Sequence, residues 1–320
     1  MSVKNGAALY SRQLVSEFGP CQLYHYQATQ SDSTGKPLLI VFATINRPDV
    51  LDLLPSYSLI GELLKRHRDI YLLDWGHPPV SLMDISFACY VTDYLTHAVS
   101  MVLEKSQHLT LDLLGICQGG LICLCYAALK KTLHQLVLIS TPIHFHTHDN
   151  TVAKLISHLD LDKIATAKTN ISGQWIRHFF TLLKPFELSG KKYLILSDKI
   201  KDKVWVDKFM RVEQWLLDSP DQPPKAFSEF LRFFYHENRL IEGGLCFDGE
   251  AVDLKSIAIP ILNVMARDDH IVPVSASRGL NKWINSKNYK QKIIQGGHIG
   301  IYLKKKSVVS LAKTIHDWLN

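Results

Sequence analysis

The sequence predicts an α/β fold built on a largely parallel sheet, and three observations predict it. Short apolar runs rich in branched residues alternate with longer segments whose apolar residues recur at three and four; turn formers close the runs; and the alternation lapses mid-chain and then resumes.

Taken in order, PLLIVFA (37–43) reads as a buried strand and SLIGELLKRH (58–67) as a helix of crossover type. DIYLLDW (69–75) reads as the next strand, followed by a long helical segment, ISFACYVTDYLTHAVSMVLEKS (85–106). LTLDLLGI (109–116), a helix over 120–129 and LHQLVLIST (133–141) complete this half. The pattern then breaks. NISGQWIRHFFTLLKPFEL, VWVDKFMRVEQWLLDSPDQPP and FSEFLRFFYHENRLI are aromatic, helical in period and interrupted at Pro185, Pro220, Pro223 and Pro224. Strands return at IPILNVMA (259–266) and YKQKIIQ (289–295), with a helix expected after each. The expected organisation is a core of residues 1–142 and 257–320 carrying a helical cap insertion over 143–256.

Composition narrows the function classes. At 320 residues and 47% hydrophobic, the chain can bury a large core, which excludes a disordered protein. Its net charge of +6 is spread out apart from short runs such as Lys304–Lys306, and no basic helix is interleaved with aromatics, so nucleic acid is not an expected partner. A small anionic substrate remains compatible. The six cysteines lack CxxC spacing and lie mostly in apolar segments, which suits reduced thiols rather than disulfides, and no metal site is expected. No signal peptide and no run of about 18 apolar residues are present, so a cytoplasmic protein without a membrane span is expected.

The chemistry starts at GICQGG. Cys117 falls between a strand and a helix, where a nucleophile elbow holds its central residue in a strained conformation, and Gly115 and Gly119 are expected to let the backbone turn that sharply. The helix dipole there favours a thiolate. A cysteine nucleophile needs a base, and the base an orienting carboxylate. Asp269 directly follows the strand 259–266, and His298, in QGGHIG, directly follows the strand 289–295. Nucleophile, acid, histidine is the order of the α/β-hydrolase fold with its catalytic triad. Asp268 reads as a solvated neighbour, and His270 as a possible auxiliary that positions the loop. His144, His146 and His148 read as a polar loop. Oxyanion donors are expected from the backbone N–H of Gln118 and of Ile45 or Asn46.

PLLIVFATINRPDVLDL, YLLDWGHP, GICQGG, WLLDSPDQ, DHIVP and GGHIGIYL together give the chain, from about Pro37 onward, a close resemblance to the catalytic subunits of class III or class IV polyhydroxyalkanoate synthases. The resemblance implies that the family's triad falls on Cys117, Asp269 and His298. It implies an acyltransferase that polymerises 3-hydroxyacyl-CoA, such as 3-hydroxybutyryl-CoA, with release of CoA and no cofactor. It also implies a second synthase subunit, a homodimer in the active complex, and a place at the polymer granule surface. Three departures stand out: His77 where a tyrosine is usual, a short segment before Pro37, and Thr44 at a position usually apolar. The first and third bear on the acyl pocket.

A thioester substrate explains the thiol. Cysteine holds the acyl group as another thioester, nearly isoenergetic with the donor, whereas serine would surrender the activation at loading. Such chemistry must exclude water, and an aromatic insertion with Trp175, Phe179, Phe180, Trp205 and Trp215 suits a cover. Two other readings are a cysteine hydrolase of dienelactone-hydrolase type, which shares the elbow but needs no large cap, and a non-catalytic granule-associated protein, against which the intact triad argues.

Overall fold

Continuous apolar runs become the centre of an eight-stranded sheet in the computed structural model, which describes residues 9–28, 35–54, 57–66, 68–182 and 192–320. The strands are β1 (Gln13–Phe18), β2 (Cys21–Tyr26), β3 (Leu38–Val41), β4 (Ile70–Asp74), β5 (Leu111–Ile116), β6 (Leu133–Ile139), β9 (Ile261–Ala266) and β10 (Tyr289–Ile294). Between β6 and β9, β7 (Cys246–Phe247) and β8 (Glu250–Ala251) make a separate small hairpin. The order across the large sheet is β1-β2-β4-β3-β5-β6-β9-β10. From β4 to β10 all neighbours are parallel; β2 joins β4 and β1 in antiparallel fashion. Every residue of β3, β4, β5 and β9 is buried, as helices on both faces of a parallel sheet require.

The strands expected from apolar runs form, each trimmed at one or both ends. The hairpin β1–β2 has no counterpart in the sequence expectation, because QLVSEF and CQLYHY mix polar and apolar residues, as suits the margin of the sheet. After β9 the expected helix shrinks to the single turn Val274–Ser277, whereas β10 is followed by the full helix Lys305–Leu319. The elbow helix starts at Gln118 rather than Gly120 and runs to Leu129. The long segment near 85–106 is helical from Phe87 but carries a π-wound stretch at Tyr90–Leu95. His67 and the break at Pro185 lie outside the described residues.

Between β6 and the small hairpin the described residues are largely helical, including Gly173–Thr181, Lys203–Leu217, Pro224–Phe230 and the π-wound Leu231–His236. Aromatic rings fasten this layer to the core. Phe87 of the core meets Phe234 edge-on at 5.3 Å, and within the layer Phe145 meets Tyr235 edge-on at 4.7 Å, geometries that add about 0.5–1.5 kcal/mol each beyond area burial. The Glu229 carboxylate accepts the backbone N–H of Phe87 at 2.7 Å, tying the cap to the first helical turn at that residue. Among the described residues no helix is long and apolar enough to cross a membrane.

Candidate active site

Cys117 directly follows β5 and caps the helix Gln118–Leu129 with φ 54° and ψ −122°, a conformation that costs a non-glycine residue energy and is held by its surroundings. Its N–H donates to Ile139 O at 2.9 Å, and its carbonyl accepts from Gly120 N at 3.0 Å. The flanking glycines serve a different purpose from the one expected. Neither Gly115 nor Gly119 has positive φ; each is needed because a Cβ there has no room. At Gly115 it would stand 2.4 Å from Gly120 Cα, and at Gly119 it would stand 2.4 Å from both Val41 O and Phe42 O. Gly120, which the sequence reading passed over, is equally constrained, since its Cβ would strike the Thr141 side chain. The three glycines let strand and helix close on each other, and that closeness points the thiol out of the turn.

The loops after β9 and β10 bring the other two side chains together. His298 Nδ1 and Asp269 Oδ2 are 2.7 Å apart, both residues buried. The second carboxylate oxygen, Oδ1, accepts the N–H groups of Ile271 and Val272, each at 2.9 Å, so the acid is fixed at both ends. The Cys117 sulfur is near enough to the imidazole to act on its charge. Burial opposes charge on His298, but the Asp269 carboxylate and the neighbouring Cys117 outweigh it and raise its pKa well above the ordinary histidine value. Burial likewise acts to raise Asp269, yet the His298 charge and hydrogen bond, with the two amides, hold it below the usual carboxylate range. By contrast, burial pushes the Cys123 and Cys125 thiols far up, leaving them protonated in the core. Asp268 is exposed and takes a hydrogen bond from Gln295 at 3.0 Å, away from His298. His270 is half-buried beside Asp269. His146 bonds Tyr235 O at 2.9 Å and His144 lies edge-on to Trp283, so both belong to the scaffold.

The turn after β3 is clamped from two sides. The Gln118 side chain accepts the Thr44 N–H at 3.0 Å and the Thr44 hydroxyl at 2.9 Å. Gln222, from the cap, lies 2.8 Å from that hydroxyl through Oε1 and donates to Thr44 O at 3.0 Å. The departure at Thr44 therefore serves a buried polar network. Trp215 Nε1 donates to Arg47 O at 2.8 Å, and Ser219 Oγ to Asn46 Oδ1 at 3.1 Å. The Thr44 N–H is consumed within the turn by Gln118. The sequence reading missed the side-chain roles of Gln118 and Gln222, although both sit in strings it singled out. His77 pairs with Asp218 at 3.3 Å on the surface. Of the five cap aromatics, Trp215 is buried, Trp175 is exposed and stacks on Phe179, and Trp205 stacks on Phe209.

Fold and site define a protein of the α/β-hydrolase class with a thiol at its elbow, and the profile of the alpha/beta hydrolase fold matches residues 47–305. A thermophilic esterase from Thermogutta terrifontis shares the architecture, with a TM-score of 0.57, 13% identity and coverage of 97% of this chain and 98% of that one. Much greater sequence similarity is found to poly(3-hydroxyalkanoate) polymerase subunits. That of Allochromatium vinosum is 38% identical over 93% of this chain and 85% of its own, and that of Thiocystis violacea 37% over 93% and 84%. The chain belongs to the poly(3-hydroxyalkanoate) polymerase family, which is a family of acyltransferases.

Proposed function

We propose that this chain polymerises 3-hydroxyacyl groups, with 3-hydroxybutyryl-CoA as the representative short-chain donor, and that Cys117 carries the acyl group as a thioester. The observation that carries the reading is the relay Cys117–His298–Asp269, in which a strained, helix-capping thiol meets a buried imidazole whose far nitrogen is fixed by a carboxylate. In loading, His298 takes the thiol proton, the thiolate attacks the thioester carbonyl, and CoA leaves as its thiol with the proton His298 returns. In elongation, His298 takes the proton of a 3-hydroxyl, whose oxygen attacks the acyl thioester. An oxygen ester forms, the Cys117–acyl bond breaks, and the proton ends on sulfur. The N–H groups of Gln118 and of Ile45 or Asn46 stabilise each tetrahedral oxyanion. Asp269 keeps His298 in the tautomer that offers Nε2 to the reacting atoms. No cofactor enters these steps.

The same reading gives the chain a second synthase subunit, a homodimeric active complex and a cytoplasmic place at the polymer granule. Support for an apolar partner surface comes from Leu194, Val204 and Met210, exposed on two cap helices, and from Ile200, exposed in the turn between them. The test is to supply 3-hydroxybutyryl-CoA with and without a candidate partner subunit and to follow CoA and polymer together. CoA release matched by polymer, faster with the partner, is expected; CoA release with free acid and no polymer would make the chain a hydrolase.

A further inference from the structure

Gln222 lies between the cap helices Lys203–Leu217 and Pro224–Phe230 and is 4% exposed. Burying a primary amide is costly unless its groups are paired, and here both ends engage Thr44. Nε2 faces three carbonyl oxygens, Thr44 O at 3.0 Å and Pro220 O and Asp221 O at 3.1 Å each. Those acceptors decide which end of the amide is the nitrogen, and they leave Oε1 toward the Thr44 hydroxyl at 2.8 Å. The backbone of Gln222 is itself held, its N–H donating to Ile171 O at 2.9 Å and its carbonyl accepting from Ile171 N at 2.8 Å. A firmly mounted amide thus reaches out of the cap and grips the turn after β3.

The grip falls on one particular peptide. The Thr44 carbonyl and the Ile45 N–H belong to the same planar, trans unit, so they point in opposite directions. Holding Thr44 O toward Gln222 turns the Ile45 N–H away from it and keeps it there. The preceding peptide is held from the elbow side, where the Gln118 side chain accepts the Thr44 N–H at 3.0 Å. β3 ends at Val41, before the turn, so these two peptides take their orientation from two side chains, one following Cys117 and one in the cap. We infer that Gln222 is a positioning residue for acyl transfer: by holding the Thr44 carbonyl it aims the Ile45 N–H as an oxyanion donor, and it ties the chemistry at Cys117 to the seating of the cap segment 215–222. The inference rests on the proposed use of this turn in the oxyanion site. Of the two candidate donors there it selects Ile45, whose N–H shares the gripped peptide. Trp215 on Arg47 O and Ser219 on Asn46 seat the same segment against the same turn.

The test measures single-turnover CoA release by the full chain from saturating 3-hydroxybutyryl-CoA. Beside it stand alkylation of Cys117 by iodoacetamide, a displacement that forms no oxyanion, and thermal melting to show that each variant folds. Gln222→Leu keeps the bulk and removes both amide groups; it is expected to slow CoA release by about 10- to 100-fold, less than loss of a donor, because the N–H is misaimed and not removed. Alkylation is expected to stay within about threefold of wild type, since no oxyanion needs stabilising. Gln222→Glu sets a carboxyl group against the same carbonyls, which together with burial raise its pKa, and its protonated form can donate to Thr44 O. Its CoA release relative to wild type at the same pH is therefore expected to rise as pH falls from about 8 to about 6, and this variant decides the matter if Gln222→Leu does not fold. CoA release from Gln222→Leu at the wild-type rate overturns the inference. So does alkylation that falls in parallel with CoA release, because Gln222 would then support the elbow itself and not the aim of a donor. A ratio of Gln222→Glu to wild type that does not rise as pH falls overturns it as well. Absence of CoA release from wild type overturns the acyl-transfer reading first, and this inference with it.

Discussion

Gly115→Ala tests whether the close approach of strand and helix positions the thiol. The new Cβ would stand 2.4 Å from Gly120 Cα and 2.8 Å from Gly120 N, whereas non-bonded carbons settle at roughly 3.5–4.0 Å. About 1 Å must be found. The atoms struck are backbone in the first turn of the elbow helix, so no flexible side chain can swing aside, and the Cys123 sulfur at 2.9 Å blocks the other direction. The helix start must lift from β5 and carry Cys117 relative to His298. Overpacking of this kind destabilises by about 1–3 kcal/mol, a fall of roughly 2–6 °C in melting temperature at this chain length. A reacting group displaced by about 1 Å costs on the order of 100-fold in rate. CoA release from 3-hydroxybutyryl-CoA and a thermal melt, both on the alanine variant, read the two effects. Turnover within about threefold of wild type, with an unchanged melt, would refute the steric reasoning.

Two further predictions concern the acid. Asp269→Asn should keep the fold and lose roughly 10³- to 10⁴-fold in turnover, as expected when a triad carboxylate no longer fixes the imidazole, while Asp268→Asn should stay within about threefold; reversed effects in the same CoA assay would move the acid to Asp268. The Asp269–His298 pair should also set a pH window of stability. Its contribution is complete above the unfolded carboxylate's 3.8 and below the unfolded imidazole's 6.5. It falls in acid as pH drops through the depressed pKa of Asp269, and in alkali as pH climbs through the raised pKa of His298. The melting-temperature gap between wild type and Asp269→Asn should be widest between those values and narrow on either side; a gap that stays flat with pH would contradict the coupling.

The parallel strands β3, β4, β5, β6 and β9 were legible because burial on both faces writes itself as a continuous run such as LLIV. β10 was legible despite its lysines because it ends in two isoleucines just before the glycines, whereas β1 and β2, at the sheet's margin, carry too little apolar pattern to announce themselves. The meeting of Asp269 with His298 could be expected because each follows a strand, so that linear order encodes spatial convergence. The Thr44–Gln118–Gln222 network could not, since Thr44 and Gln222 are 178 positions apart and nothing local marks either as a partner. Gly120 was hidden for a related reason: its constraint is the Thr141 side chain across the sheet.

The most direct measurement is intact-protein and peptide mass after brief mixing of the chain with 3-hydroxybutyryl-CoA and an acid quench. A 3-hydroxybutyryl adduct on the peptide containing Cys117, cleaved by neutral hydroxylamine as a thioester and absent from Cys117→Ser, is predicted. CoA release from wild type with Cys117 unmodified, or with the adduct on another residue, would contradict the role assigned to this thiol.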